Sequence, residues 1–167
     1  GHISLPEVAE KNGKQLAVIG SGPAGLSFAG AMAKLGYDVT VFAALHEIGG
    51  VLKYGIPEFR LPNAIVDVEI ENLQKMGVKF ITDCIVGKTI SVKNLEEQGF
   101  RGFFIGSGAG LPNFMNIPGE NALNIMSSNE YLTRVNLMDA SNPHTDTPIN
   151  LGKKVVVVGG GNTAMDS

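Results

Sequence analysis

The stretch that most constrains the fold is LAVIGSGPAG at residues 16–25, where four apolar residues lead into a glycine-rich turn. The apolar run is typical of a buried strand, the turn satisfies G-x-G-x-x-G, and an alanine-rich helical run follows it. In this pattern Gly20 makes the tight turn, Gly22 lets the backbone approach a pyrophosphate, and Gly25 lets the helix pack closely on the strand. The N-terminus of such a helix offers unpaired N–H groups and a partial positive charge to phosphates. The combination of strand, turn and helix predicts a dinucleotide site rather than a purely structural turn.

The length and composition fit one domain or slightly more, because 167 residues with 44% hydrophobic side chains can bury a core. A net charge of −3 without a basic cluster argues against nucleic acid as a partner. No apolar run approaches the roughly 20 residues of a membrane helix, and no secretory leader is visible, so the cytoplasm is the default location. Cys84, the one cysteine, is expected to be a buried free thiol, and the three histidines lack metal-ligand spacing.

Hydrophobic periodicity predicts an alternation of strands and helices along the chain. Strands are predicted at residues 14–19, 38–42, 78–86, 102–105 and 153–158, with a short edge strand at 88–90, and helices at 23–35, 64–76, 92–98 and 129–139. Asn63 and Ser91 are expected to cap the helices that follow them. Residues 1–14 are predicted to be a polar, frayed arm. The first two strands should lie parallel and adjacent in a right-handed βαβ unit.

The end of the second predicted strand departs from the dinucleotide pattern. About 20 residues beyond the glycines, such a fold places a carboxylate that accepts hydrogen bonds from the adenosine ribose. This chain has Ala43 and Ala44 there, and the nearest carboxylate is Glu47 in the following loop. We therefore expect weakened ribose binding, an isolated chain that is largely free of cofactor, and tighter binding in an Ala43→Glu variant.

Residues 46–62, HEIGGVLKYGIPEFRLP, are too rich in glycine and proline for a helix. Loops of this length inside compact domains are usually functional, which predicts a loop that covers a ligand. The alternative is a long surface loop, with Arg60 as a solvated charge and Tyr54 as an aromatic residue at the edge of the core.

The opening pattern recurs about 140 residues later, where GGGNTA at residues 159–164 matches G-x-G-x-x-A after the apolar run KKVVVV. Two such fingerprints suggest a flavoprotein with one site for FAD and one for a nicotinamide nucleotide. The sequence given stops within the first turns of the second predicted helix. Because the second sheet is then incomplete, we expect self-association or disorder beyond residue 151.

Four motifs, in the same order, resemble a family of NADPH-dependent flavoproteins: VIGSGPAGLSFAGAMAKLGYDVTVF, HEIGGVLKYGIPEFRLP, FIGSGAGLPNFMNIPGEN and VVVVGGGNTAMD. From residue 15 onward the chain is similar to the small (beta) chain of NADPH-dependent glutamate synthase. It is equally similar to the flavin subunit of NADPH:ferredoxin (sulfide dehydrogenase-like) oxidoreductases and to the flavin region of dihydropyrimidine dehydrogenase. The resemblance implies a Rossmann-like α/β fold that binds FAD and NAD(P). It divides the chain into an arm at 1–14, an incomplete FAD-binding domain at 15–150, and a truncated NADPH-binding domain at 151–167.

The resemblance also implies which residues bind cofactors, and it places any iron–sulfur clusters in missing parts of the protein or in a partner subunit. By this resemblance the FAD pyrophosphate turn comprises Gly20, Gly22, Pro23, Ala24 and Gly25, the ribose position and its neighbour are Ala43 and Glu47, and the strand end near adenine is Val86. The loop that covers the flavin comprises Gly49, Gly50, Leu52, Tyr54, Gly55, Ile56 and Arg60. The crossover turn comprises Ser107, Gly108 and Ala109, and the NADPH turn comprises Gly159, Gly161, Asn162 and Ala164. Hydride would pass from NADPH to the flavin, and single electrons would pass on to a large subunit or a ferredoxin-like acceptor. No side chain of this chain would be a catalytic acid or nucleophile, since the flavin carries the chemistry.

Two other interpretations remain open from the residues alone. A flavoprotein of the thioredoxin-reductase kind is disfavoured because the chain has no C-x-x-C pair. A non-catalytic nucleotide-binding or subunit-docking module is the other, with Ala43 as the sign of lost cofactor affinity.

Overall fold

The computed structural model describes residues 4–149 and 152–167, so the predicted domain boundary between residues 150 and 151 lies outside the described residues. One parallel sheet of four strands has the order β3-β2-β1-β4. The strands are β1 Gln15–Ile19, β2 Asp38–Phe42, β3 Lys79–Ile81 and β4 Phe100–Ile105. The helices are α1 Pro23–Lys34, α2 Val51–Tyr54, α3 Asn63–Lys75, α4 Val92–Glu97, α5 Ser128–Leu132 and α6 Asn162–Asp166, and a π-helical segment, Thr133–Leu137, continues α5.

The opening βαβ unit forms as predicted, with β1 and β2 parallel and in register from Gln15 opposite Asp38 to Ile19 opposite Phe42. On its other side β1 pairs with β4, so β1 is central and apolar on both faces. Two buried clusters cover the sheet, and Ala17 and Val18 belong to different ones because neighbouring strand residues point to opposite faces. Cys84 is buried and unpaired, as expected.

Helix starts follow the capping rules at one predicted site and not at the other. Ser91 caps α4 in a capping box, in which its side chain accepts from the Asn94 N–H and the Asn94 side chain accepts from the Ser91 N–H. The prediction for Asn63 is wrong, because Asn63 is already the first helical residue and Pro62 precedes it. The Asn63 N–H instead donates to Glu58 Oε2 at 2.9 Å.

The predicted third strand, 78–86, is much shorter than expected. Only Lys79–Ile81 is a strand, and the chain then turns through Asp83, which has a φ of 53°. The predicted edge strand at 88–90 is reduced to a single bridge between Val86 and Ile90. Apolar residues in this stretch pack in the core but do not extend the hydrogen-bonded ladder of the sheet.

Residues 9–14 contact the domain, contrary to the predicted fraying of the N-terminal arm. The Ala9 N–H donates to the Lys34 carbonyl at 2.9 Å, and the Asn12 N–H donates to the Gly36 carbonyl at 3.0 Å. Carbonyl groups at a helix C-terminus lack partners within the helix, and the arm supplies donors to them.

The predicted strand at 153–158 is wrong. Residues 155–158 have no regular secondary structure, and their four valines are 73%, 87%, 47% and 67% exposed. In the described part of the chain no strand pairs with them, so a β-branched run there lacks the partner that a sheet would need.

Candidate dinucleotide-binding site

The first glycine turn lies at the carboxyl end of β1, the edge at which parallel α/β sheets bind ligands. Gly20 has a φ of 106°, and its N–H donates to the Phe42 carbonyl at 2.9 Å. Gly22 is the extended N-cap residue of α1, and Pro23 begins that helix, where the absence of an N–H costs nothing. The turn therefore directs the N-terminus of a 12-residue helix toward the sheet edge.

The three motif glycines have different surroundings. A Cβ on Gly20 would overlap the Gly106 carbonyl oxygen, and one on Gly25 would overlap the Gly20 carbonyl oxygen. A Cβ on Gly22 would meet no protein atom within 4 Å. Gly20 and Gly25 are thus required for packing within the protein, whereas Gly22 borders open space, which is what an approaching phosphate needs.

The loop at 46–62 packs on this turn. A Cβ on Gly50 would lie 2.8 Å from Gly22 Cα, and the Gly49 N–H donates to Ser21 Oγ at 3.3 Å. Ser21 is only 6% exposed. The loop is also less irregular than predicted, because residues 51–54 form the short helix α2. Sequence reasoning missed Ser21, although a small polar residue inside the turn was a usable signal.

The chain after β4 reaches the same place. The Gly106 N–H donates to the Ile19 carbonyl at 2.8 Å, and the Ser107 backbone lies beside Gly20. Gly108 and Ala109 are exposed beyond it. We call the backbone that converges here the glycine cluster; it comprises Gly20, Gly22, Gly25, Gly49, Gly50 and Gly106.

Ala43 directly follows β2, at the position where the dinucleotide pattern places a ribose-binding carboxylate. Ala43 is 2% exposed; its N–H donates to the Ile81 carbonyl at 2.8 Å, and its carbonyl accepts from the Cys84 N–H at 2.9 Å. The Glu47 carboxylate is bound to Lys53 Nζ at 3.0 Å. The nearest carboxylate in sequence is therefore engaged elsewhere.

Lys53 lies between two carboxylates, at 3.0 Å from Glu47 and 2.6 Å from Asp67, with its own side chain 12% exposed. Burial alone would lower the pKa of Lys53, but the hydrogen bonds and charges of Asp67 and Glu47 outweigh it and raise that pKa above 10.5. Since two negative charges surround one positive charge, this group is not a phosphate site. It borders a cavity of about 340 Å³ lined by Glu47, Lys53, Asn63, Asp67, Asn136 and Leu137.

A second depression, of about 250 Å³, includes Gln15, Asp38 and Lys79, the first residues of β1, β2 and β3. It opens at the amino ends of the strands, whereas the glycine cluster lies at their carboxyl ends. Ligands of open α/β sheets bind at the carboxyl ends, so this depression does not bear on the candidate site.

Leu52, Tyr54 and Val86 are further residues of the first domain that the resemblance assigned to cofactor binding. Leu52 and Tyr54 lie in α2 and are half-buried, and the Tyr54 carbonyl accepts from Asn136 Nδ2 at 3.3 Å. Val86 is not at a strand end as predicted; it packs against the buried cluster that contains Ala17 and Cys84.

Arg60 contacts α6, the helix that begins within the second fingerprint. Its Nη1 lies 2.6 Å from Asp166 Oδ1 in α6, and the Asp166 side chain is 6% exposed. The second turn itself forms without the predicted strand: Gly159 has a φ of 141°, and Gly161 is the extended N-cap residue of α6. Asn162 and Ala164 lie in that helix.

Residues 9–167 match the pyridine nucleotide-disulphide oxidoreductase family. The chain is 34% identical over 99% of its length to a putative glutamate synthase [NADPH] small chain of Cereibacter sphaeroides, covering 40% of that protein. It is 34% identical over 96% of its length to the glutamate synthase [NADPH] small chain of Bacillus subtilis, covering 33% of it. It is 35% identical over 99% of its length to the NADPH-Fe(3+) oxidoreductase subunit beta of Geobacter sulfurreducens, covering 24% of it. The predicted resemblance is confirmed, and the chain spans less than half the length of each relative.

Solved structures share the fold. A 2-naphthoyl-CoA reductase matches 98% of the chain and 22% of its own length, with a TM-score of 0.71 and 21% identity. FprA of Mycobacterium tuberculosis matches 72% of the chain and 28% of its own, with a TM-score of 0.64 and 20% identity.

Within residues 4–149 and 152–167, no helix has both the length and the apolar character to cross a membrane. The same residues contain no group of three or more metal-ligating side chains. The parallel sheet, the glycine turn at its carboxyl edge and the match over residues 9–167 lead to one conclusion: the chain belongs to the pyridine nucleotide-disulphide oxidoreductase family.

Proposed function

We propose that this chain is the FAD-binding portion of an NADPH-dependent oxidoreductase that passes electrons from NADPH through FAD to iron–sulfur centres. The observation that carries the proposal is Gly22, whose missing Cβ leaves open space at the N-terminus of α1. An extended N-cap glycine before a 12-residue helix suits a pyrophosphate, which accepts hydrogen bonds from backbone N–H groups. The residues present thus fit the cofactor.

In this proposal the protein binds and orients FAD, and FAD supplies the hydride-transfer and electron-transfer chemistry when it is bound. The backbone N–H groups of Gly22, Ala24 and Gly25 would donate to phosphate oxygens, since Pro23 has no N–H. Gly49 and Gly50 hold the loop at 46–62 against the turn, through the Ser21 hydroxyl and the close approach to Gly22. No side chain of this site is assigned a proton-transfer or nucleophilic role.

The relatives support a finer assignment to the glutamate synthase small chain, and hence to glutamate biosynthesis. Two of the relatives carry that name, and a third is the beta subunit of an NADPH-Fe(3+) oxidoreductase. On this reading residues 15–150 are part of the FAD domain and 151–167 begin the NADPH domain. The electron acceptor would then be a large partner subunit or a ferredoxin-like protein.

The test is a titration of FAD into the chain, followed by quenching of flavin fluorescence, with Gly22→Ala as the variant. The new methyl group meets no protein atom, so the fold is retained, but it occupies the space of the pyrophosphate. Loss of one hydrogen bond to a charged group is worth about 1.5–3 kcal/mol, so we expect at least a tenfold rise in the dissociation constant.

Gly160→Ala is the matched control, because a Cβ there also meets nothing within 4 Å but lies in the second turn. FAD affinity should be unchanged in this variant. Equal affinity of the native chain and Gly22→Ala would show that the pyrophosphate does not bind at the first turn.

The methyl group of Ala43 favours one second candidate, a nucleotide-binding or subunit-docking module without catalysis. The position that would bind ribose carries no carboxylate, and Glu47 is engaged by Lys53. If neither the native chain nor an Ala43→Glu variant binds FAD, the docking module is the better description. FAD binding by either protein favours the oxidoreductase.

A further inference from the structure

One ion pair joins the loop beside the first glycine turn to the helix that follows the second, across 106 positions of sequence. Arg60 Nη1 donates to Asp166 Oδ1 at 2.6 Å. The Asp166 side chain is 6% exposed, while that of Arg60 is 43% exposed. A carboxylate so far removed from water depends on its partner for the interactions that hydration would provide. The position of α6 is therefore tied to Arg60.

The loop that carries Arg60 is itself fixed. The N–H groups of Arg60 and Leu61 both donate to the Pro57 carbonyl, at 2.9 and 3.1 Å. Proline at positions 57 and 62 further restricts the backbone on either side. At its other end the loop approaches Gly22 through Gly50. Residues 49–60 thus form a continuous, hydrogen-bonded path from the first turn to α6.

A second route connects the same parts independently of the ion pair. The Tyr54 carbonyl in α2 accepts from Asn136 Nδ2 in the π-helical segment at 3.3 Å. That segment continues α5, and α5 contacts α6. Loop, π-helical segment, α5 and α6 close a ring of contacts, which restrains orientation better than a single contact does.

We propose that Arg60 is a positioning residue that, through Asp166, fixes the second glycine turn relative to the first. Binding of FAD at the first turn is thereby communicated to the second turn along residues 49–60. The communication step rests on the proposed function, whereas the positioning role does not.

The reason for communication is thermodynamic. A phosphate bound at Gly22 would order residues 21 and 22, which Gly49 and Gly50 contact. The loop that continues from Gly50 leads to Arg60. If a ligand at one site orders a segment that also orients a second site, the binding affinities of the two sites are coupled, and the coupling free energy is the same in both directions. Removing the ion pair should then weaken FAD binding although Asp166 lies in α6, the helix of the second glycine turn.

The positioning role is tested by backbone ¹⁵N relaxation on the full chain, reading the amides of Thr163 and Ala164 in α6. We expect order parameters of roughly 0.85 in the native chain and below about 0.6 in Asp166→Asn and in Arg60→Met. Amides of β1 and β2 should stay rigid in every variant, which shows that the fold is retained. Unchanged order at 163 and 164 in both variants would overturn the positioning role.

Two further variants test whether the change in order at α6 is specific to the contact between Arg60 and Asp166. The exchanged pair, Arg60→Asp with Asp166→Arg, should restore order in α6, because it regenerates the contact with reversed charges. Asp146→Asn removes an exposed carboxylate elsewhere and should leave α6 as ordered as in the native chain. Failure of the exchanged pair to restore order, or loss of order in Asp146→Asn, contradicts a specific contact.

Communication is tested by FAD titration of the same proteins. We expect the FAD dissociation constant to rise at least fivefold in Asp166→Asn and to recover in the exchanged pair. Equal affinity of native and Asp166→Asn chains rejects communication. Absence of FAD binding by the native chain rejects communication. If the Ala43→Glu variant also fails to bind FAD, the proposed function is rejected as well, while the relaxation data still decide the positioning role.

Discussion

At the residue scale, Ala43 is a buried residue at the end of β2, where the dinucleotide pattern has a carboxylate. The backbone of Ala43 continues the ladder of β2, with its N–H and carbonyl both paired. What differs from the dinucleotide pattern is the side chain alone, a buried methyl group in place of a carboxylate. Phosphate contacts at such a turn come from backbone N–H groups, whereas ribose contacts come from the side chain at the end of the second strand.

We expect the Ala43→Glu substitution to tighten FAD binding at least tenfold, because a carboxylate that accepts from ribose hydroxyls contributes about 1.5–3 kcal/mol. The measurement is flavin fluorescence quenching on both proteins, with thermal unfolding to confirm that the new carboxylate is tolerated at a buried position. Ala44→Glu, at the exposed neighbouring residue, is the control and should bind as the native chain does. Equal affinities for all three would mean that another group already binds the ribose.

At the scale of elements, Lys53 links α2 to α3 and to the loop that precedes α2. Residues 51–54 contain no buried side chain, and Lys53 reaches Asp67 in α3 and Glu47 in the preceding loop. A four-residue helix has little stability of its own, since helix nucleation is unfavourable. The ion pairs therefore help to keep the loop at 46–62 in the shape that contacts the first turn.

Lys53→Met should lower the free energy of unfolding by about 1 kcal/mol at pH 7, with both carboxylates half-exposed. The pKa of Lys53 is raised in the folded chain, so its stabilisation is complete below its ordinary value of 10.5 and is lost as the pH rises through the folded value. Urea unfolding should therefore show a native-to-variant difference that is constant near neutrality and shrinks above pH 10.5.

Lys75→Met is the control, because Lys75 and Glu71 are 3.9 Å apart and both well exposed. Its unfolding free energy should differ from that of the native chain by less than about 0.5 kcal/mol. A Lys53→Met variant as stable as the native chain would show that the two ion pairs do not hold the loop.

At the scale of the whole molecule, apolar surface is concentrated away from the sheet core. Val155, Val156, Val157 and Val158 are all exposed, as are Leu111, Phe114 and Leu123 in the long connection after β4. Exposed apolar residues that cluster on a surface commonly mark an interaction site. The valine run also exposes backbone groups that could pair with another chain.

We expect the chain to self-associate through residues 155–158, which is one of the two outcomes expected for this segment from the sequence. Sedimentation velocity over a range of concentrations should show a rising average mass. Val156→Lys, at the most exposed valine of the run, should shift the distribution toward monomer, since a charge opposes strand addition. Leu123→Lys, at a residue 93% exposed in the other apolar region, serves as the comparison. A monomeric native chain at every concentration would show that the expectation is wrong.

Local patterns in the sequence were sufficient for the first βαβ unit, the Ser91 N-cap, the buried Cys84 and the parallel pairing of β1 with β2. Each depends on neighbours within a few residues or on one strand–helix–strand unit, in which periodicity and handedness leave few alternatives. The family also follows from motifs of this kind, because a glycine turn is read from consecutive residues.

The tertiary structure alone decided which distant groups meet. It shortened the third strand to Lys79–Ile81, left residues 155–158 without a partner strand, and engaged Glu47 with Lys53. It also paired Arg60 with Asp166, which no local pattern indicates. An apolar run becomes a strand only where another strand pairs with it, and a charge finds its partner only once the chain has folded, so neither outcome can be read from residues adjacent in sequence.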